Sequence, residues 1–111
     1  MLAKPNRLTR GSDYKAIVRR GARCAGTHTV TYVGGTGGVA PARFGFIVSR
    51  QVGSAVTRNL VRRRLKAVCA EALTSVRPGA DVVIRALPGS ATAEFADLRD
   101  DVVRCLKRRA A

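Results

Sequence analysis

Residues 50–66 carry the clearest chemical signal in this sequence. Six of the seventeen side chains are Lys or Arg, and none is acidic. Apolar residues recur through the run at helical spacing, so one face of a helix can pack on a core while the cations reach solvent. Most of the cations are arginines, which favour forked contacts with phosphate. The run therefore indicates binding to a polyanion with a phosphate backbone.

In this predicted helix, apolar and polar side chains occupy neighbouring arcs. At about 100° per residue, the apolar arc holds Val61, Leu65, Val68, Cys69 and Ala72. The polar arc holds Asn59, Arg62, Arg63 and Lys66. Arg58 projects over the apolar side near the helix start, and Arg64 lies on the other flank. The alternative is an ordinary amphipathic helix with a solvated face, but no acid occurs in the run before Glu71.

Residues that could catalyse a reaction are sparse. His28 is the only histidine, and its place in an alternating segment is typical of a surface or edge residue. The acids at 94–101 do not form the spaced carboxylates that a two-metal nuclease needs. The glycines at 34–38 lack the Gly-Lys-Ser/Thr that completes a nucleotide-binding loop. We therefore expect no catalytic residue and no metal site in the protein, with the chemistry supplied by a partner.

Positive charge is concentrated in the N-terminal part of the chain. The net charge is +14. Residues 1–70 contain fourteen Lys or Arg and one acid, whereas residues 71–111 contain seven cations and six acids. Self-repulsion of this size destabilises a compact monomer. A polyanionic partner is therefore expected.

Length and cysteine content indicate one intracellular domain. A chain of 111 residues suits one RNA-binding domain over 1–111, with 1–7 and 108–111 expected as loose tails. Cys24, Cys69 and Cys105 are odd in number and form no CxxC pair, so we expect buried thiols rather than disulfides. Neither a secretory signal nor a transmembrane span is evident. We expect a cytoplasmic location, with no membrane and no obligate protein partner.

Periodicity and turn signals predict the element order α-β-β-α-β-α. Helices are predicted over 12–21, 52–74 and from 92 onward, and strands over 27–33, 42–49 and 81–87. Thr92 is the expected cap of the last helix. Phe44, Phe46 and Phe95 are expected in the core. This mixture of helices and strands is interpreted as the α+β class.

The basic run resembles the signature helix of the bacterial ribonuclease P protein subunit. In that family a Val/Ile-Gly-x-Ala-Val-x-Arg-Asn stretch precedes basic residues and a Leu, as in Val52 to Leu65 here. Asn6-Arg7-Leu8 resembles an amino-terminal motif of the family, and residues 12–21 and 81–86 resemble its first helix and late strand. The resemblance covers nearly the whole chain.

This resemblance implies a small α/β sandwich with a mixed sheet of about four strands and a left-handed β-α-β crossover. It implies a protein that binds a catalytic RNA and promotes removal of the 5′ leader from precursor tRNA. The endonucleolytic step would belong to the RNA and its Mg²⁺. The positions that would contact the catalytic RNA are Arg50, Arg58, Asn59, Arg62, Arg63 and Lys66. Those that would line the leader cleft are Tyr14, Val18 and Tyr32.

Two positions depart from the family pattern. Leu60 stands where the signature usually has a cation, and Arg64 points elsewhere on the helix. Val18 stands where a second aromatic is usual on the first helix. Because stacking contributes about 1–3 kcal/mol per base, grip on the leader is expected to depend more on Tyr32 and on charge.

Two other functions remain open on the residues alone. A DNA-binding recognition helix over 54–66 would need another helix just upstream, but 42–49 is predicted as a strand. A ribosomal or chaperone-like RNA-binding protein fits the composition equally well, and only the signature argues against it.

Overall fold

The computed structural model describes residues 2–35 and 37–111. Its helices are α1 (Gly11–Arg20), α2 (Ala55–Ala72) and α3 (Phe95–Arg109), and its strands are β1 (Ala22–Ala25), β2 (Thr29–Gly35), β3 (Arg43–Ile47) and β4 (Ala80–Ala86). Short 3-10 turns cover Lys4–Asn6, Leu73–Ser75 and Pro88–Ala91. None of the described helices is long and apolar enough to cross a membrane.

Four strands form one mixed sheet in the order β1-β2-β4-β3. β2 pairs antiparallel with β1 and with β4, whereas β3 and β4 are parallel and are joined through α2. The predicted α+β class with a mixed sheet of about four strands is confirmed. The element order predicted from periodicity omitted β1. Only Cys24 of its four residues is buried, so the segment shows no alternation that would indicate a strand.

The sheet buries a different hydrophobic cluster on each face, as strand alternation requires. On one face α1 contributes Ile17 to a cluster with Val30, Tyr32 and Val83. On the other face α2 and α3 cover Phe44 and its neighbours, with Leu65, Val102 and Ile84 nearly inaccessible to solvent. Phe46 and Phe95 pack against this second cluster. The predicted core position is therefore confirmed for Phe44, whereas Phe46 and Phe95 are only partly buried against the cluster.

The expectation of three free thiols is wrong. Cys24 of β1 and Cys105 of α3 form a disulfide, and Cys69 alone is free and buried. Sequence spacing hid this pair because 81 residues separate the two cysteines. Burial raises the pKa of the Cys69 thiol far above its ordinary value, so that group stays protonated and unreactive.

The last helix begins later than its expected cap. Thr92 follows the 3-10 turn Pro88–Ala91, and Glu94 is the N-cap of α3, without a side-chain capping bond. Thr92 therefore does not cap the helix, because the three residues 92–94 separate the 3-10 turn from the start of α3.

Both chain ends, predicted as loose over 1–7 and 108–111, make specific contacts. The Asn6 side chain donates to the carbonyl of Ala42 over 2.8 Å, and Leu2 is buried in the larger cluster. At the other end Ala110 is fully buried and accepts a hydrogen bond from the Arg77 amide. Met1 lies outside the described residues.

Candidate nucleic-acid interface

The turn before α2 fixes where the basic helix begins. The amides of Val52 and Gly53 donate to the carbonyls of Ser49 and Arg50, and the Ser54 hydroxyl caps the helix by accepting from the Thr57 amide over 3.3 Å. Gly53 has a φ of +155°, in the region that L side chains rarely adopt. The capped start sets the rotation of every cation that follows.

Three cations of α2 form a row on successive turns. Arg58, Arg62 and Lys66 are spaced by four residues and are each half-buried, beside the packed face of Val61 and Leu65. None takes part in a salt bridge within the described residues. The cations are thus held by packing without being neutralised.

Hydrogen bonds within this row are few. One Arg62 Nη donates to the Asn59 Oδ1 over 3.1 Å, which holds that guanidinium along the helix. Within residues 2–35 and 37–111, the buried Arg58 Nε has no hydrogen-bond partner. Such a buried donor is costly unless something accepts from it.

Other α2 side chains lie outside the row. Arg63 is exposed, and Leu60 is 41% exposed. Arg64 lies on the opposite flank, where it donates to the carbonyl of Ala93 over 3.3 Å. The sequence-based expectation that Arg64 does not replace the cation missing at 60 agrees with this contact.

The N-terminal segment borders the row. A cavity of about 170 Å³ is lined by Arg62 and Lys66 together with Leu2, Arg7, Leu8, Thr9, Tyr14, Phe44 and Phe46. Arg7 is ordered here because its Nε donates to the carbonyl of Leu2 over 3.0 Å. A fourth cation from a distant part of the sequence thus joins the edge of the α2 row.

Tyr14 is held by the strand beneath it. Its hydroxyl accepts from the Phe46 amide at 3.2 Å and donates to the Leu8 carbonyl at 3.3 Å. The ring lies directly over Gly45, where any Cβ would overlap it. Tyr14 is only half-buried, so its ring is fixed and still partly accessible.

Tyr32 is much less accessible than a stacking platform requires. It is 7% exposed, and the Arg85 guanidinium carbon lies 5.8 Å from the centre of its ring. Val18 is half-buried and lines a cavity of about 420 Å³ with Tyr14, Lys15, Arg19, Ile47 and Arg85. The three residues expected in the cleft therefore lie on the α1 face of the sheet, but Tyr32 is covered.

Arg50 lies nearer to this cleft than its assignment to the residues that contact the catalytic RNA suggests. It is exposed and lines a second cavity, of about 510 Å³, with Ile47, Ser49, Gln51 and Arg85. The turn at 49–53 thus borders both the start of α2 and the sheet face that carries the cleft.

Comparison with known proteins identifies the family. The ribonuclease P family model matches residues 2–110. The ribonuclease P protein component of Clavibacter michiganensis subsp. michiganensis is 52% identical over 109 residues, covering 97% of this chain and 96% of that protein. The same component of Acidothermus cellulolyticus is 43% identical, covering 97% and 91%. The chain belongs to the ribonuclease P protein family.

Solved structures of ribonuclease P proteins share the fold. The Thermotoga maritima protein superimposes with a TM-score of 0.83 at 22% identity, covering 95% of this chain and 98% of that one. The Staphylococcus aureus protein gives 0.83 at 21% identity, covering 95% of each chain. At these identities the match concerns the fold alone.

Family membership establishes the broad function. Ribonuclease P proteins act with an RNA subunit in tRNA 5′ leader processing, so this chain takes part in the ribonuclease P endoribonuclease reaction as its protein component. The alternatives of a ribosomal or DNA-binding protein are not favoured. The element that precedes α2 is strand β3 rather than the helix that a helix-turn-helix needs.

The carboxylates have structural partners that the sequence did not reveal. Arg43 donates to both Asp81 oxygens, at 2.9 and 3.0 Å, and approaches Asp13 at 4.0 Å; the hydrogen bond to Asp81 raises the pKa of Arg43. Asp101 of α3 accepts from the amides of Thr27 and His28. No signal in the sequence marks these pairs, because their members are distant along the chain.

Proposed function

We propose that α2 holds the catalytic RNA and that the cleft on the α1 face holds the 5′ leader of precursor tRNA. The observation that carries this proposal is the row of Arg58, Arg62 and Lys66, fixed by the packing of α2 and left out of the protein's own salt bridges among the described residues. A fixed row of unneutralised cations can neutralise phosphates along an RNA strand.

The RNA-binding set comprises six residues, and the structure supports them to different degrees. Arg62 and Asn59 are hydrogen-bonded to each other, and Arg63 lies beside them on the exposed surface. Phosphate oxygens can accept forked pairs of hydrogen bonds from the free N–H groups of Arg62 and Arg63. The full set consists of Arg50, Arg58, Asn59, Arg62, Arg63 and Lys66.

The leader cleft is supported by its position and its charge. Tyr14, Val18 and Tyr32 lie on the sheet face covered by α1. Two cations of α1, Lys15 and Arg19, line the cavity on this face. A cationic groove with accessible ring surface is the usual arrangement for an unpaired strand. The sheet face opposite α2 and α3 therefore suits a single-stranded leader.

The hydrolytic step is assigned to the RNA and to Mg²⁺ bound mainly by it. Within residues 2–35 and 37–111, no three His, Cys, Asp or Glu side chains cluster as a metal site would require. Asp13 and Asp81 are paired with Arg43, and Asp101 is bonded to backbone amides. The carboxylates thus do not fit a protein-held Mg²⁺ cage, and we propose a positioning role in the cytoplasm for a chain that acts as one RNA-binding unit.

Reconstitution tests this function directly. Added to a bacterial ribonuclease P RNA at low Mg²⁺, the chain should raise the rate of precursor-tRNA cleavage at the mature 5′ end. If some 6–10 phosphates are neutralised, affinity for the RNA should fall by about 10³–10⁵ between 50 and 200 mM salt. Cleavage no faster than with RNA alone would contradict the proposal.

A further inference from the structure

Arg85 occupies an unusual place for a charged residue. It lies on β4, which has a paired strand on each side. In register it stands opposite Val30 of β2 and Ile47 of β3. It is the only exposed residue of β4. No salt bridge within the described residues involves it, so its charge is not used to stabilise the sheet.

The Arg85 guanidinium lies over the ring of Tyr32. The guanidinium carbon is 5.8 Å from the centre of the tyrosine ring, within the range of a cation–π contact. Tyr32 pairs with Val83, two residues before Arg85 on the same face of β4, so the contact is a cross-strand diagonal one. The nearly buried ring restrains the arginine and leaves the outer face of the guanidinium toward solvent.

Two cavities meet at Arg85. One runs along α1 beside Lys15, Val18 and Arg19, and the other runs beside Ser49, Arg50 and Gln51. Ile47 and Arg85 line both. Neither set of lining residues contains a carboxylate. A strand following the sheet face from α1 toward the turn before α2 must therefore pass Arg85.

We infer that Arg85, restrained by Tyr32, is a stacking group of the leader cleft and contacts an unpaired base of the leader. This inference rests on the proposed function. A guanidinium is planar and stacks on unpaired bases. It stands where the covered Tyr32 ring offers little surface and where Val18 offers no aromatic face. Tyr32 is then a positioning residue that acts through Arg85.

Leader-specific binding tests the inference with Arg85→Lys and Arg85→Gln. Each variant is assembled with a bacterial ribonuclease P RNA and titrated with precursor tRNA carrying 2-aminopurine in its leader, and separately with mature tRNA. Since one stack is lost, both variants should bind the precursor roughly tenfold more weakly. Both should lose fluorescence quenching, with the affinity for mature tRNA unchanged. Arg99→Lys and Arg99→Gln, on exposed α3 surface, are the matched controls.

Tyr32 variants add a test of positioning. Tyr32→Leu should reduce the quenching because nothing then restrains the guanidinium, and Tyr32→Phe should keep it because the ring remains. Circular dichroism of the free variants checks that the fold is retained.

Three results would overturn the inference. If Arg85→Lys bound the precursor like the wild type and Arg85→Gln did not, Arg85 would pair its charge with a phosphate instead of stacking on a base. Wild-type behaviour of both would remove Arg85 from the leader. Equal losses for precursor and mature tRNA would mean that the effect is not leader-specific. Failure of the wild-type chain to stimulate cleavage would instead contradict the proposed function itself, so the two failures are distinguishable.

Discussion

Helices α2 and α3 cover the same face of the sheet but use their charges differently. Both bury an apolar stripe in the larger cluster. In α3 the acids lie early and the cations late, in the order that the helix dipole favours, and Asp101 also forms an ion pair with Arg104 at 3.7 Å. In α2 the only acid is Glu71, near the C-terminal end, and the row Arg58, Arg62 and Lys66 has no salt bridge among the described residues.

The two helices are also anchored differently. A disulfide joins α3 to β1 through Cys105, and Asp101 holds the loop before β2. The polar side chains of α2 make fewer internal contacts, such as that between Arg64 and the Ala93 carbonyl. Internal charge pairing thus serves the stability of α3, whereas the cations of α2 remain available for an external polyanion.

The largest expected difference concerns the disulfide of α3. Closing a loop across 81 residues should stabilise the protein by about 4.5 kcal/mol in the chain-entropy model. Urea unfolding of the wild type with and without dithiothreitol measures this difference. The Cys24→Ser variant should not respond to the reductant. Equal midpoints for the wild type in both conditions would contradict the expectation.

Neutralising the α2 row should weaken RNA binding on the order of 100-fold, at about 1 kcal/mol for each lost ionic contact. The variant carries Arg58→Gln, Arg62→Gln and Lys66→Gln. For this variant, the slope of log Kd against log salt concentration should be smaller by about 2–3. The matched control removes the same charge from α3 through Arg99→Gln, Lys107→Gln and Arg108→Gln. Equal losses in the two triple variants would show that net charge, not the row, determines affinity.

Removing the Asp101 carboxylate should lower stability without weakening RNA binding, the opposite of what is expected for the α2 row. Asp101→Asn places an amide group against the Thr27 and His28 N–H donors, so the free energy of unfolding should fall by about 2 kcal/mol. Affinity of the folded protein for the RNA should not change. The exposed neighbour Asp100→Asn should alter stability by less than about 0.5 kcal/mol. A weakened RNA complex in filter binding would place α3 in the interface.

The smallest expected effect is at Leu60, which is 41% exposed on α2 but lies outside the row. Leu60→Arg should tighten binding to the catalytic RNA by about two- to fivefold, in line with an exposed ionic contact of 0.2–1 kcal/mol. Thr74→Arg adds the same charge beyond the end of α2. Unchanged affinity for Leu60→Arg would show that the missing cation is immaterial.

Much of the fold followed from local pattern. The apolar stripe of α2 and the alternation that places Phe44 in the core lie within short stretches, so helical and strand periods reveal them. Strand β1 was not predicted, because four residues with one buried side chain show no alternation of apolar and polar residues. For the site, the pattern located the row on α2 but gave no indication that Arg85 covers Tyr32.

The sequence by itself determined the charge asymmetry, the amphipathic basic helix and the family signature, because each is written in neighbouring residues. Only the tertiary structure decided that Cys24 meets Cys105, that Asp101 holds the loop at 27–28, and that Arg85 lies over Tyr32. These pairs are 53 to 81 residues apart by their numbering. Their partners are chosen by strand register and helix packing, which no local pattern specifies.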